Sequence, residues 1–344
     1  MNATLELLRQ RVAAIPPALA ETLRRRPLAL ADAADRRWVI TGGGLSEGPA
    51  RFFAAYLADG LGLRARFTSL SAFAGPSSGL GGDTLVLFSQ GLAPNARLPL
   101  LHCQAFRDTI VFTSVTPGTS GAGELLAAAV AGGAIVETLP PVEEAGLLVR
   151  LIGSPVQALA ALRMAAHSVG APLDLAGLPD AYAAALERGA GISLTDGNED
   201  LAPVALVASG RYTDYVFAMR WKLLEGLRLP DPPVWDALQV AHGPFQELYH
   251  RRCTLVSLVR GGAERALDLE LTRRLGVLLP PGRGQRILSL VAELPAPLSW
   301  FDHDALCNAL LLDAHQRRPL DLAVWPGMGE DDVIYGVDGL VLVR

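Results

Sequence analysis

The sequence predicts an α/β protein made of two units, each a parallel sheet covered by helices, with helices joining the two. Three observations predict it. Between residues 38 and 140, short apolar segments alternate with stretches of helical length. A turn-rich segment, ISLTDGNEDLAP (192–203), interrupts the chain. The alternation then begins again in a shorter form. Strands separated by helix-length segments pair in parallel, with the helices lying on the faces of the sheet. In such sheets ligands bind at the carboxyl ends of the strands.

Each element follows from a local pattern. Residues 1–34 read as an N-terminal helical segment. WVIT (38–41) reads as a buried strand ending in Gly42, Gly43 and Gly44, with a helix from about Ser46 to Asp59. RARFTSL (64–70), TLVLFS (84–89), TIVFTS (109–114) and AIVETL (134–139) are the following strands, with helices at about 94–106 and 121–131. GSPVQALAALRMAAHSVG (153–170) and LPDAYAAALERG (178–189) are helical, and Ser154-Pro155 looks like an N-cap followed by a first helical position. Gly170-Ala171-Pro172 breaks the two apart. This divides the chain into an N-terminal segment (1–34), a first domain (35–170), a linker (171–202) and a second domain with a C-terminal tail (203–344). In the second domain VALVASG (204–210), CTLVSLV (253–259) and RILSLVAEL (286–294) read as strands, and 212–227, 263–275 and 302–315 as helices.

Composition narrows the function. The 344 residues suit about two domains, and half of them are hydrophobic. A net charge of −5 gives no basic field for nucleic acid. Mean hydropathy is +0.29, yet charged residues or glycine interrupt every apolar run well before the ~18 residues of a membrane span. MNATLELLRQR carries no signal-peptide pattern. Three scattered cysteines, Cys103, Cys253 and Cys307, suit neither a disulfide framework nor a zinc site, and point to a reducing cytoplasm. The expectation is a cytoplasmic protein with no cofactor, no metal, no nucleic acid and no membrane partner.

Two loops stand at predicted strand ends. In TGGGLSEG (41–48), Gly43 and Gly44 let the backbone approach a ligand, and Ser46 opens the following helix, whose free N–H groups favour an anion. The spacing is not the dinucleotide G-x-G-x-x-G. In SQGLAPNA (89–96), Ser89, Gln90, Gly91 and Asn95 are candidate ligand contacts, as are Ser209 and Arg211 at the corresponding turn of the second unit. The plain alternative is that these residues only close strand-to-helix turns.

The chemistry centres on WKLLEG (221–226) and HGPF (242–245). Lys222 and Glu225 are three apart, neighbours on a helix. His242 follows Glu225 by seventeen residues, on a Gly-Pro turn. A carboxylate, an ammonium and an imidazole are suited to moving protons on a carbonyl compound. The plain alternatives are an exposed helix glutamate paired with Lys222 or Arg228, a surface lysine, and a turn histidine bonded to backbone.

WKLLEG followed by HGPF, with SQGLAPNA upstream, resembles the double-SIS (sugar isomerase) proteins, among them the fructosamine-6-phosphate deglycases and the isomerase domain of glucosamine-6-phosphate synthase. The resemblance spans roughly residues 35–344. It implies two three-layer αβα units, and a sugar or sugar-derivative isomerase or deglycase working by aldose–ketose proton transfer. Glu225 would be the base, His242 would open the sugar ring, and Lys222 would stabilise an enolate or fix Glu225. It also implies a homodimer in which His242 serves the neighbouring subunit's site. A non-catalytic sugar-binding regulatory protein is the alternative.

The chain departs from the family pattern in two places. Gly91 and Pro94 replace a serine and a threonine of the phosphate loop, and Gly44 replaces a serine of the first loop. Each lost hydrogen bond to a charged group is worth roughly 1.5–3 kcal/mol. Either Arg51, Arg97, Ser46 or Thr113 compensates, or the substrate carries no phosphate. The family's lysine-bearing tail is also missing: Lys222 is the chain's only lysine, and Arg344 is no substitute for an amine acid–base group. Tyr335 and Glu330-Asp331-Asp332 either contact substrate or form a solvated loop. Of the other clusters, Asp302-His303-Asp304 reads as a helix N-cap with its neighbours rather than a metal site. His102 and Cys103 are adjacent on a helix and do not face one another.

Overall fold

A computed structural model of the chain describes residues 3–75, 80–118, 120–140, 144, 146–194, 201–249, 251–279, 284–330 and 332–336. Asp331, Arg344, His250 and the 195–200 part of the turn-rich segment lie outside the described residues.

In chain order the first elements are α1 (Ala3–Arg24), β1 (Arg37–Gly42), α2 (Glu47–Ala55), β2 (Arg64–Phe67), β3 (Thr84–Phe88), β4 (Asp108–Thr113), α3 (Gly121–Ala131), β5 (Ile135–Thr138) and α4 (Gly153–Val169). The strands form one parallel sheet in the order β2-β1-β3-β4-β5. Central β3, TLVLF, is buried along its whole length, as expected of a strand covered on both faces. β1 and β3 are neighbours, with Gly42 opposite Phe88, so the two predicted loops leave the sheet side by side at its carboxyl edge. Gly42 is glycine for a packing reason. A Cβ there would lie 2.5 Å from the Ser46 carbonyl oxygen and 3.1 Å from that of Phe88. The predicted helix at 94–106 is a 3-10 helix, Pro94–Ala105.

The second series comprises α5 (Leu178–Gly189), β6 (Val204–Ala208), α6 (Tyr212–Val216), α7 (Arg220–Leu227), β7 (Val234–Asp236), α8 (Pro244–Leu248), β8 (Cys253–Gly261), α9 (Arg265–Leu278), β9 (Gln285–Pro295) and α10 (Ser299–Arg317). Its sheet is also parallel, ordered β7-β6-β8-β9. Strand β7 was not expected, because three residues behind the Pro-rich PDPP carry no periodic signal. The expected single helix at 212–227 is broken by a 3-10 turn at Phe217–Met219, so α7 is a separate short helix. It ends on Arg228, a non-glycine residue in the left-handed region.

By contact density the chain forms two compact units. One holds the β1–β5 sheet: residues 17–145 and 152–176, with the stretch beginning at Val324. The other holds the β6–β9 sheet: residues 1–16, 146–151 and 177–323. Helix α5 groups with the β6–β9 sheet because it packs on α10. At that crossing a Cβ on Gly189 would lie 2.5 Å from the Ala309 Cβ. Among the described residues no helix is long and apolar enough to cross a membrane.

Candidate functional site

Helix α7 carries the central candidate. Glu225 is half-buried and makes no hydrogen bond to another described residue. Burial pushes its pKa up to about 7, partly offset by the Arg150 guanidinium. The neutral form is favoured because the carboxylate loses water without gaining a hydrogen-bonding partner. The alternative pairing with Lys222 or Arg228 does not form.

Lys222, three residues earlier, is in a different environment. It is 1% exposed. Its ammonium sits 2.8 Å from Asp304 Oδ1 and donates to Asn308 Oδ1 at 2.8 Å. Tyr182 donates to the other Asp304 oxygen at 2.6 Å and accepts from Asn308 Nδ2 at 2.8 Å. The ammonium expected near an enolate is thus bound inside the core, where it anchors α7 to α10. Two further contacts fix the same helix: His315 Nε2 lies 2.7 Å from the Gly226 carbonyl oxygen, and a Cβ on Gly226 would be 2.3 Å from Leu311. Lys222→Ala leaves the Asp304 carboxylate buried and short of its cation, so it should cost about 3–5 kcal/mol in denaturant unfolding. A loss below about 1 kcal/mol, the range of exposed pairs, would remove Lys222 from this anchoring role.

His242 is exposed and ends a short 3-10 turn. Its N–H donates to the Gln239 carbonyl at 2.8 Å, while its imidazole makes no hydrogen bond to another described residue. The turn needs glycine at the next position, since Gly243 has φ of 113°. Gln246 closes the turn by accepting from the Gly243 N–H at 2.9 Å. Pro244 then starts α8 at a position that requires no donor.

The Asp302-His303-Asp304 triplet is not an N-cap. It lies inside α10, whose N-cap position is Leu298, and all three side chains are buried. Asp302 accepts from the backbone N–H groups of Glu293 (2.6 Å) and Leu294 (2.9 Å). His303 Nε2 lies 3.1 Å from two carbonyl oxygens, those of Val259 and Leu290. Carbonyls only accept, so Nε2 carries the hydrogen and Nδ1 accepts from the Tyr212 hydroxyl at 2.7 Å. Burial lowers the His303 pKa to about 4, which keeps the ring neutral. Among the described residues no cluster of three or more His, Cys, Asp or Glu is arranged to hold a metal ion.

The loop after β6 is bound by carboxylates. Ser209 donates to Asp268 and accepts from Arg260 Nη2 at 2.7 Å. The Gly210 N–H donates to Asp236 Oδ2 at 2.7 Å. Arg211 is exposed just before α6.

In the other unit, Gly43 is partly buried and extended, Gly44 is exposed with φ of 54°, and Ser46 donates its N–H to the Gly43 carbonyl at 3.1 Å. Ser89 is buried, Gly91 exposed and Asn95 partly buried. Gln90 Nε2 donates to Glu144 Oε2 at 2.9 Å. Three of the four groups that were to replace missing hydroxyls are occupied. Arg51 binds Glu47 at 2.6 Å and lies over the Phe67 ring, Arg97 binds the Leu92 carbonyl at 2.8 Å, and the Thr113 hydroxyl binds the Gln90 carbonyl at 3.0 Å. Helix α4 begins at Gly153 rather than after a Ser154 cap. Its first N–H groups are satisfied by Glu144. Glu144 and Asp236 were missed because nothing in their local sequence marks them, and Asp304 was read only as part of a helix cap. Glu144, for example, is 54 residues from Gln90.

Comparison with solved structures agrees with this architecture. The C-terminal domain of glucosamine-fructose-6-phosphate aminotransferase from Francisella tularensis superposes with a TM-score of 0.72 at 13% identity, covering 92% of this chain and 97% of that one. This is the double-SIS fold. Glucosamine-6-phosphate deaminase from Thermotoga maritima matches with a TM-score of 0.69 at 15% identity, over 93% of this chain and 97% of that chain. Tagatose-6-phosphate ketose/aldose isomerase from Escherichia coli gives 0.66 at 15%, over 92% and 93%. No protein-family model and no curated protein matches the sequence. At these identities the SIS likeness is one of fold, and the chemistry rests on the residues described above.

Proposed function

We propose that the chain is a sugar or sugar-derivative isomerase or deglycase in which Glu225 moves a proton between adjacent carbons and His242 opens the ring. One observation carries the reading. Glu225 is a half-buried carboxyl without a hydrogen-bonding partner among the described residues, with its pKa raised to about 7. A base of that pKa is partly ionised at neutral pH and strong enough to take a proton from the carbon beside a carbonyl. Returning the proton to the neighbouring carbon completes an aldose–ketose exchange. In a deglycase the same enolisation precedes loss of the amine. Exposed His242 supplies the imidazole that hands a proton to and from the ring oxygen. In keeping with the SIS resemblance, it would do so for a partner subunit's site in a homodimer. Lys222 is a positioning residue here, holding the helix that bears Glu225. The substrate is unusual or carries no phosphate, since Arg51, Arg97 and Thr113 are already engaged.

The engaged loop donors and the buried lysine also favour a second reading, a regulatory protein that binds a sugar without turning it over. A panel of free and phosphorylated ketoses and ketosamines, screened by thermal shift and then for turnover, separates the two. The enzyme reading expects a free sugar to be turned over, with kcat/KM rising with pH through about 7 as Glu225 ionises. Binding without turnover across the panel would leave the regulatory reading.

A further inference from the structure

We infer that Glu144 occupies, from within the chain, the place of a substrate anion beside the 89–91 loop, so that this site takes an unphosphorylated sugar. The inference rests on the sugar-binding reading above and names the substrate class for it. Glu144 is 2% exposed. Its Oε1 accepts the Ile152 N–H at 2.9 Å, and its Oε2 accepts the Gly153 N–H at 3.0 Å and Gln90 Nε2 at 2.9 Å. Two of these donors are the first free amides of the 17-residue helix α4, and the third is the side-chain amide of the loop after β3. Helix-terminal amides and a loop amide are the donors that receive an anion at a strand's carboxyl end. Here a carboxylate of the chain already has them.

The arrangement is packed as a unit. A Cβ on Gly153 would fall 2.3 Å from Gln90 Oε1, so the amide lies directly on the helix start. The Gln90 carbonyl accepts from the Thr113 hydroxyl at 3.0 Å and the Ser114 N–H at 2.9 Å, which holds the loop from its other side. The second unit independently uses the same device: the Gly210 N–H after β6 donates to Asp236 at 2.7 Å. A phosphate brought to these three donors meets the like charge of the carboxylate that already holds them. Gly91 and Pro94, where the family has hydroxyls, fit a loop that no longer holds phosphate. A neutral hydroxyl group of a free sugar carries no such penalty.

The test uses the full-length chain, with inorganic phosphate, acetate, fructose and fructose 6-phosphate as probes in calorimetry and thermal shift. In the wild type, phosphate and fructose 6-phosphate should bind no tighter than about millimolar. In Glu144→Ala, phosphate affinity should rise about tenfold or more, the size of one charge-assisted hydrogen bond, and acetate should raise its Tm but not that of the wild type. If Glu144→Ala does not fold, Glu144→Gln serves, with fructose 6-phosphate again tightening about tenfold as the charge is removed. Micromolar fructose 6-phosphate binding by the wild type overturns the inference. So does a folded Glu144 variant that responds to no anion. Turnover is read separately: a wild type that turns over no sugar while Glu144→Ala gains phosphate sinks the enzyme reading and leaves this one standing.

Discussion

Glu225→Gln is expected to keep the fold and lower turnover by about 10²–10⁴-fold, the usual contribution of a positioned general base. The amide matches the carboxyl in shape but takes no proton. A loss of less than about tenfold, on whichever sugar the wild type turns over, would remove Glu225 as the base. The same variant has a stability signature that a solvated helix glutamate would not give. In the folded chain Glu225 holds its proton up to about pH 7, against an ordinary value of 4.5. The folded state therefore binds more protons than the unfolded state between these values, and wild-type stability falls as pH rises through that window. Glutamine has no proton to lose. Glu225→Gln should thus be more stable than wild type above pH 7, with the difference shrinking as pH falls towards 4.5. Equal pH dependence of the two Tm curves would show that the carboxyl is well solvated.

The second large effect is complementation. Glu225→Gln and His242→Ala should each be inactive as homodimers. If His242 serves the partner's site, a mixed dimer has one site with both native residues and one with neither. Mixing the two variants 1:1 with full subunit exchange should then restore roughly a quarter of wild-type activity, because half the dimers are mixed and each has one working site. Proven exchange without recovery would place both residues of a site on the same chain. His242 is the right residue to substitute, because its exposed imidazole contributes no hydrogen bond to another described residue. Lys222 would confound the experiment, because removing it disturbs the core beneath Glu225.

Several features could be read from sequence because their physical cause is local. Strands β1, β3, β4, β6 and β8 are apolar runs of strand length between glycines and polar turns, and both faces of a parallel sheet require that pattern. Helices α3 and α5 begin and end where the residue pattern puts them. Glu225 was legible as a candidate from its spacing to His242, but its raised pKa comes from burial in the folded chain, partly offset by Arg150. The HGPF turn is specified by its own glycine and proline. Locally coded features of this kind determined the two parallel sheets, the loops at their carboxyl edges, and Glu225 and His242 as the residues to test.

The tertiary structure decided which polar groups remain for a ligand. Lys222 and Glu225 have equal claims as a sequence pair, yet Asp304 and Asn308, more than eighty residues away, take the lysine into the core. Asp302-His303-Asp304 has the local appearance of a cap, but all three are buried: Asp302 binds backbone N–H groups at the end of β9, while His303 and Asp304 reach Tyr212 and Lys222, more than eighty residues away. Gln90 matches the family loop, and only the folded chain brings Glu144 to its amide and to the start of α4. A hydrogen bond or ion pair depends on the separation of two groups in space, and parallel sheets bring together residues from distant parts of the chain. For this protein the sequence determined the sheets and the candidate chemistry, and the three-dimensional packing decided which of those polar groups the protein uses on itself.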